Sequence, residues 1–555
     1  MGRFKDGPRI PWWLWAALLV ATLVRLAGIR WGLPAIFNAD EPHVVNLAVS
    51  FGGGSLHPYA FKYPSLWPYF LACVYGVYFL CWSVLGLRHG VADFVGLYGW
   101  HPEGFYLIGR LLAAGFSLGA LVWLWRVENP DDREGRASWA ALLLAFAPVV
   151  NEAAHSCKPD MLMFFFACAA WFFALRLFLL GERRDCWLCG VMLGLAASSQ
   201  FTAVPAAFLL PLAWGLGARR LPACWLGEGL ACVVAAFFAA SPYILLDWRN
   251  FWFWTSMRSP TALAAMGAWS HWSVARQVLA NLAHFAGTWS VAGAAALLGL
   301  AFLLFRDPRR AALLGLPVLL YVLVLSANPD GGWPRYLLAV LPGWALLASD
   351  GLALCARGRA RWVGLLAAAL VVGPGIVQCA RQDRDMRLPD TRQLARSWVL
   401  EHVPQGATLI LDEPDASPDL AMVREELEEL AQRTHAAGSP RARLFGGMAR
   451  SHPGGGYRIY RILRSARDLG TYHPKQVELS QADAPMVDLR PGISAARAVK
   501  AGWIVTSSFG AAPGHSPELA AFFRELPVQA RLEAAFAPVP AELAGPSLRI
   551  YRLEP

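Results

Sequence analysis

Residues 38–69, NADEPHVVNLAVSFGGGSLHPYAFKYPSLWPY, decide how this chain is read, because they place Asp40, Glu41, His43 and Lys62 directly after the first apolar run of membrane length. Charged groups deep in hydrocarbon are heavily penalised, whereas at a bilayer edge they can meet a lipid-borne ligand and a water-soluble one together. Pro42 suits the first turn of a helix and Gly52-Gly53-Gly54 suits its end, so Asp40 is expected at or next to a helix N-terminus. Free backbone N–H groups and the helix dipole keep a carboxylate ionised there. His43 lies three residues on and can share a helix face with Asp40. Taken alone, the pattern reads first as an N-cap carboxylate followed by a helix-face histidine.

Working outward, the whole chain has the composition of a polytopic membrane protein. Of 555 residues, 56% are apolar and only 16% charged, and 25 are Trp; the mean hydropathy is +0.39. An ordinary soluble enzyme is excluded by that balance. The formal net charge of +10 is explained by Arg-rich cytoplasmic loops before any binding of nucleic acid, and no nucleic-acid partner is expected. The first apolar run follows Arg3, Lys5 and Arg9 without a small-residue cleavage site, so it reads as a retained helix with its N-terminus inside. About eleven spans of the length a bilayer demands follow the hydropathy, at 11–33, 104–125, 137–152, 160–180, 187–202, 203–217, 223–241, 279–304, 311–327, 335–355 and 361–379. Counted off, they leave Arg126/Arg133/Arg136, Arg183/Arg184, Arg219/Arg220, Arg306/Arg309/Arg310 and Arg357/Arg359/Arg361 on the N-terminal side, which the positive-inside rule makes cytoplasmic.

Residues 64–87 are long enough to span, yet counting them would reverse every later basic loop. Their aromatic content suits a helix at the outer interface. The alternative is that they cross and that 187–217 is one tilted helix. All ten cysteines lie at or before Cys379, mostly within apolar runs, where they pack as small hydrophobes; the Cys186-x-x-Cys189 pair has no second pair to complete a metal site.

After Cys379 the composition changes. Residues 380–555 contain no 18-residue apolar run, and Ala407–Asp412, Trp503–Ser507 and Leu548–Leu553 alternate as strands do. Thr391–Val403 and Ser417–Gln432 carry amphipathic helical patterns. The expected fold is therefore a polytopic α-helical membrane domain, 1–379, whose first outer loop spans 34–103, followed by a soluble α/β domain, 380–555, on the extracytoplasmic side.

Three further features share the outer side with Asp40. Lys158-Pro159-Asp160 opens a helix, Lys62 precedes Tyr63-Pro64, and Arg335 stands at the start of a late span. Each alone reads as a capping or snorkelling residue. Together, two carboxylates and several cations at headgroup height are the equipment for cleaving a glycosyl phosphate: cations stabilise the departing phosphate while a carboxylate takes the proton of an incoming hydroxyl.

The Asp-Glu pair after the first helix, K-Y-P-S-L-W-P-Y at 62–69, K-P-D at 158–160, S-P-Y at 241–243, P-R-Y-L-L-A-V-L-P at 334–342 and the stretch from Asp390 through Gly406 resemble, in order and spacing, glycosyltransferase family 39. This family contains the protein O-mannosyltransferases, is similar to the aminoarabinose transferases acting on lipid A, and has the GT-C fold. The resemblance implies Asp40 as base or metal ligand with Glu41 beside it, Asp160 as second carboxylate, and Lys62, Tyr63, Lys158 and Arg335 as substrate-binding residues. It leaves room for one divalent metal ion at Asp40, His43 and Asp160, with His57 behind His43. The implied donor is a polyprenyl-phosphate-linked sugar and the acceptor a protein, glycolipid or polysaccharide on the outer face of a membrane, a bacterial inner membrane in the first instance. A transporter or flippase of lipid-linked saccharide would instead place its ionisable residues near mid-bilayer; here Arg25 and Arg176 come nearest, and both have stems long enough to snorkel. A noncatalytic envelope scaffold is the third reading.

Overall fold

The structure is a computed structural model and describes residues 12–86, 90–127, 136–217, 219–258, 275–276, 278–280, 290–326, 334–356, 361–412, 414–463, 485–510 and 519–553. Arg3, Lys5, Arg9, Arg133, Arg357, Arg359 and Arg464, residues 281–289 of one expected span, and Gly332 and Trp333 ahead of Arg335 lie outside them. In chain order the helices are α1 (Trp12–Leu26), α2 (Glu41–Ser50), α3 (Leu66–Val84), α4 (Val91–Trp100), α5 (Glu103–Trp125), α6 (Arg136–Ala145), α7 (Pro148–Ala154), α8 (Asp160–Leu180), α9 (Arg183–Ser199), α10 (Leu209–Leu216), α11 (Ala223–Ala240), α12 (Tyr243–Leu246), α13 (Trp248–Arg258), α14 (Ser290–Arg306), α15 (Pro308–Ser326), α16 (Leu341–Ala356) and α17 (Arg361–Asp385). Among the described residues five of these, α3, α5, α8, α11 and α15, are long and apolar enough to cross a bilayer. The protein is a multi-pass membrane protein.

The apolar runs break where their sequence says they must. Pro148 at the first turn of α7 divides the 137–152 run into two helices. Gln200, with extended backbone at φ −150° and ψ 129°, ends α9, and a 3-10 turn over Phe201–Phe208 containing Pro205 leads into α10. The 187–217 region is thus α9, a 3-10 turn and α10 rather than one tilted helix. Residues 64–87 form α3 over Leu66–Val84.

The chain forms two compact units: one of Met1–Ile29, Phe61–Trp67 and Gly109–Asp383, the other of Arg30–Ala60, Pro68–Ile108 and Arg384–Pro555. The first, helical unit is packed through small residues. A Cβ built on Gly190 or Gly194 of α9 would collide with the backbone carbonyl of Gly229 or Val233 of α11, and one on Gly299 of α14 or Gly351 of α16 with Leu347 or Ala295 across the pair. Such close backbone approach is how helices gain packing where burial from lipid gives little. Arg25 does not snorkel. It is fully buried, its Nε donates to Ser117 Oγ at 2.7 Å, and Nη1 donates to Ala145 O at 3.0 Å. Nearby elements are pinned by His155, whose ring nitrogens lie 2.8 Å from Asn151 O and Ala27 O, and by Asn151, which donates to Asp383 at 3.0 Å. Arg176 pairs with Asp185 at 3.1 Å. Cys186 and Cys189 are both free and buried, donating to Trp225 O and Ala170 O, so they act as packing groups.

The second unit combines Arg30–Ala60 and Pro68–Ile108 with the α/β region Arg384–Pro555. A six-stranded sheet of order β3-β2-β1-β4-β6-β5 uses β1 (Thr408–Leu411), β2 (Arg458–Leu463), β3 (Met486–Asp488), β4 (Trp503–Ser507), β5 (Ala530–Phe536) and β6 (Leu548–Leu553). The first four neighbours pair in parallel, and β6 is antiparallel to both β4 and β5. Alternation sends Leu409, Leu411, Val505 and Ile550 to one face against Ala395 and Val399 of α18 (Thr391–His402), and Ile410, Ile504 and Tyr551 to the other. That opposite face packs on Ile493 of α21 (Ile493–Ala498) and Phe522 of α22 (Ala520–Gln529). The amphipathic pattern expected over Ser417–Gln432 becomes a helix only from Arg424, as α19 (Arg424–Ala436), followed by α20 (Arg441–Arg450). Strand β2 carries two arginines that differ in exposure: Arg458 is exposed, while Arg461 is half-buried and donates to Asp412 O at 2.9 Å. Removal of its guanidinium from water brings the Arg461 pKa down to about 10.

Candidate active site

In the α/β-containing unit, Asp40 is the N-cap of α2, with Glu41 and Pro42 as the first helical residues. Its side chain makes no capping bond to α2. The turn before it is fixed by Asn38, whose Oδ1 accepts from Asp40 N at 3.1 Å. Phe37, one residue earlier, is buried; the Arg392 guanidinium lies 3.6 Å from its ring centroid, and Trp31 meets it edge-on at 6.1 Å. Arg392 is itself held by Asp390, the N-cap of α18, through bonds of 2.8 and 2.7 Å. A bidentate guanidinium stacked on an aromatic face is a rigid arrangement, so the approach to Asp40 is clamped by the α/β domain. Asp40 is half-buried, Glu41 fully buried and His43 half-buried.

In the helical unit the other motifs converge through hydrogen bonds to main chain. Ser65 N donates to Ser241 Oγ at 3.0 Å, and Ser241 Oγ lies 2.6 Å from Ser198 Oγ. Trp67 Nε1 donates to Cys157 O at 3.4 Å, which ties the Lys62-Tyr63 element to the turn carrying Lys158 and Asp160. Trp171, on the helix that Asp160 opens, donates to Ala339 O at 3.2 Å, and the Tyr321 hydroxyl lies 2.7 Å from Thr202 O and 2.5 Å from Tyr336 O. Those contacts fix the 3-10 turn Pro334–Ala339 that bears Arg335. Lys158 and Asp160 are buried, and one Asp160 carboxylate oxygen has no hydrogen-bond partner. Lys62 and Arg335 are half-buried, each over its neighbouring tyrosine ring, at 5.7 Å for Tyr63 and 5.5 Å for Tyr336. The structure thus brings the sequence elements of Lys62, Lys158, Asp160 and Arg335 into one unit and sets Asp40, Glu41 and His43 in the other.

Neither a family model nor a curated protein matches the sequence. Solved structures do match. ArnT from Cupriavidus metallidurans in the apo state is similar over 97% of this chain and 97% of its own, with a TM-score of 0.52 at 13% identity. The chain has the GT-C fold. ArnT from the same organism bound to undecaprenyl phosphate matches over 97% of this chain and 98% of its own, with a TM-score of 0.50 at 13% identity. An Archaeoglobus fulgidus oligosaccharyltransferase tethered with an acceptor peptide is a more distant likeness, with a TM-score of 0.46 at 12% identity.

Within this GT-C fold, no group of three or more His, Cys, Asp or Glu side chains among the described residues is placed to hold an ion. Of the residues expected to hold a divalent ion, Asp40 and His43 belong to the second unit and Asp160 to the first. What sequence reasoning missed are the positioning residues: Arg392, Ser241, Trp67, Trp171 and Tyr321. Ser241 and Trp67 stand inside motifs that marked the region, but nothing in their spacing says that they bond to Ser65 N and Cys157 O.

Proposed function

We propose that this protein is a membrane glycosyltransferase that moves a sugar from a polyprenyl-phosphate donor to a hydroxyl of a protein, glycolipid or polysaccharide acceptor on the outer face of a membrane. The observation that carries the reading is the joining, in one unit, of the buried Lys158 and Asp160 with the elements of Lys62 and Arg335 through Trp67, Trp171 and Tyr321. Charged groups held by backbone anchors at the ends of apolar helices suit a phosphate that arrives on a lipid. The binding of undecaprenyl phosphate by ArnT, a protein of the same fold, supports that donor class.

In this reading Lys62, Lys158 and Arg335 hold the donor phosphate, and Asp40 takes the proton of the acceptor nucleophile as its heteroatom attacks the anomeric carbon. The bond from that carbon to the phosphate oxygen breaks, the electron pair leaves with the polyprenyl phosphate, and the sugar inverts its configuration. Asp40 is the N-cap of α2, and the positive end of a helix dipole favours a carboxylate at that place. In this reading the N-terminus is cytoplasmic and residues 380–555 extracytoplasmic, which the charge distribution of the loops supports. Transfer of radiolabelled sugar from purified donor lipid to envelope acceptors tests the proposal. Uptake of the donor into proteoliposomes without transfer would replace it with a transporter, and neither activity would leave a scaffold.

A further inference from the structure

A second site lies in the unit that contains the first outer loop. Helices α2, α3 and α4 and the start of α20 enclose a cleft of about 290 Å³. Its walls are apolar, among them Val49, Tyr75, Phe79, Phe94 and Val95, while Arg441 and Arg443 line it from α20. Arg443 is exposed and reaches across to donate to Gly53 O at 3.1 Å. Gly76 lies inside α3, where glycine weakens a helix relative to alanine. A Cβ there, or on Gly52, would meet no atom within 4 Å. No neighbour demands these glycines; their absent side chains leave the cleft wide. Asn46 also lines it. That residue is 8% exposed, its Oδ1 accepts from the Tyr98 hydroxyl, and its Nδ2 has no partner. On the outer side of α3, Val77, Leu80 and Val84 are 59%, 60% and 86% exposed, an apolar surface that suits hydrocarbon.

We propose that this cleft binds an anionic glycerophospholipid: one acyl chain between α2, α3 and α4, the phosphate at Arg441 and Arg443, and an ester carbonyl accepting from Asn46 Nδ2. Each part answers a property of the cleft. Apolar walls exclude a free phosphate or a sugar, the guanidiniums select a phosphodiester with net negative charge, and an unpartnered buried amide donor asks for a neutral oxygen acceptor, which a glycerolipid ester has and a polyprenyl chain lacks. The proposal does not depend on the transferase reading and predicts no change in chemistry.

Native mass spectrometry of the purified full chain in detergent, titrated with dioctanoylphosphatidylglycerol or dioctanoylphosphatidylcholine, tests it. The anionic lipid should bind preferentially, and Arg441→Gln or Arg443→Gln should each weaken it roughly fivefold while barely affecting the zwitterionic lipid. Gly76→Leu should fill the cleft and weaken both lipids about tenfold or more, with an unchanged circular dichroism spectrum; should that variant not fold, the exposed Arg443→Gln decides alone. Equal affinity for the two lipids, wild-type binding by a folded Gly76→Leu, or preferential displacement by farnesyl phosphate would each overturn the proposal, the last by giving the cleft to the donor lipid.

Discussion

The helical unit and the α/β unit solve the same packing problem in different solvents. In the α/β unit, alternation puts Leu409, Leu411 and Ile459 on one face of the sheet and Ile410 and Ile462 on the other, and removal of that surface from water, worth about 25 cal/mol per Å², holds the domain. In the helical unit, leaving lipid for another apolar helix gains little, so α9 meets α11 and α14 meets α16 at glycine, backbone on backbone. The charged residues follow the same division. Lys158, Asp160 and Arg335 are set by indole and phenol groups that grip main-chain carbonyls, whereas the turn before Asp40 is set by a guanidinium stacked on Phe37.

The sharpest way to break this contrast is at Asp40. Asp40→Asn should lower sugar transfer about 10³-fold with normal protein level and donor binding, measured with radiolabelled donor; turnover near wild type would remove Asp40 from the mechanism. Leu411→Ala should cost the α/β unit about 2–5 kcal/mol, read by limited proteolysis within 380–555, with the helical unit still resistant. Gly299→Leu should cost the helical unit about 1–3 kcal/mol by overpacking α14 against α16. Leu304→Ala on the same helix, where the leucine is 56% exposed, should change thermal stability in detergent by less than about 0.5 kcal/mol; a large loss there would mean that exposed leucines support the unit. Arg392→Ala should slow transfer about tenfold with an intact sheet, and Arg392→Lys should restore only part of it because lysine cannot form the bidentate bond to Asp390. The smallest effect is one of pH. Burial raises the pKa of Glu426 above its ordinary 4.5, so the folded domain binds that proton more tightly than the unfolded chain does. The resulting stability is complete below 4.5 and is lost as pH rises through the folded value. Glu426→Gln, which keeps an acceptor for Ile459 N, should flatten that slope in a pH series of unfolding curves.

Much of the architecture was legible because two periodicities dominate the chain. Strands β1, β4 and β6 form where alternation predicts them, and α18 begins at Thr391 as its pattern requires. The register of β2 was hidden by its arginines: Arg458 and Arg461 carry charge into a strand whose Ile459 and Ile462 are buried, so the charge pattern masked the alternation. The 3-10 turns at Phe201–Phe208 and Pro334–Ala339 were read as parts of spans, since hydropathy does not register a local tightening of the helix. Asp40 as an N-cap followed from Pro42 and the glycines after it. The fates of Arg25 and Arg392 did not, because their partners Ser117, Ala145 and Phe37 are distant in sequence and leave no local trace.

The stacking of Arg392 on Phe37 has a consequence for how the protein matures. Every acidic and basic side chain assigned to sugar transfer precedes residue 336, so a ribosome has already released them while the clamp on the Asp40 turn is still unmade. The clamp on that turn forms only after the later portion has been made and folded, and a version halted near residue 385 would carry all those side chains while Phe37 still lacked its guanidinium.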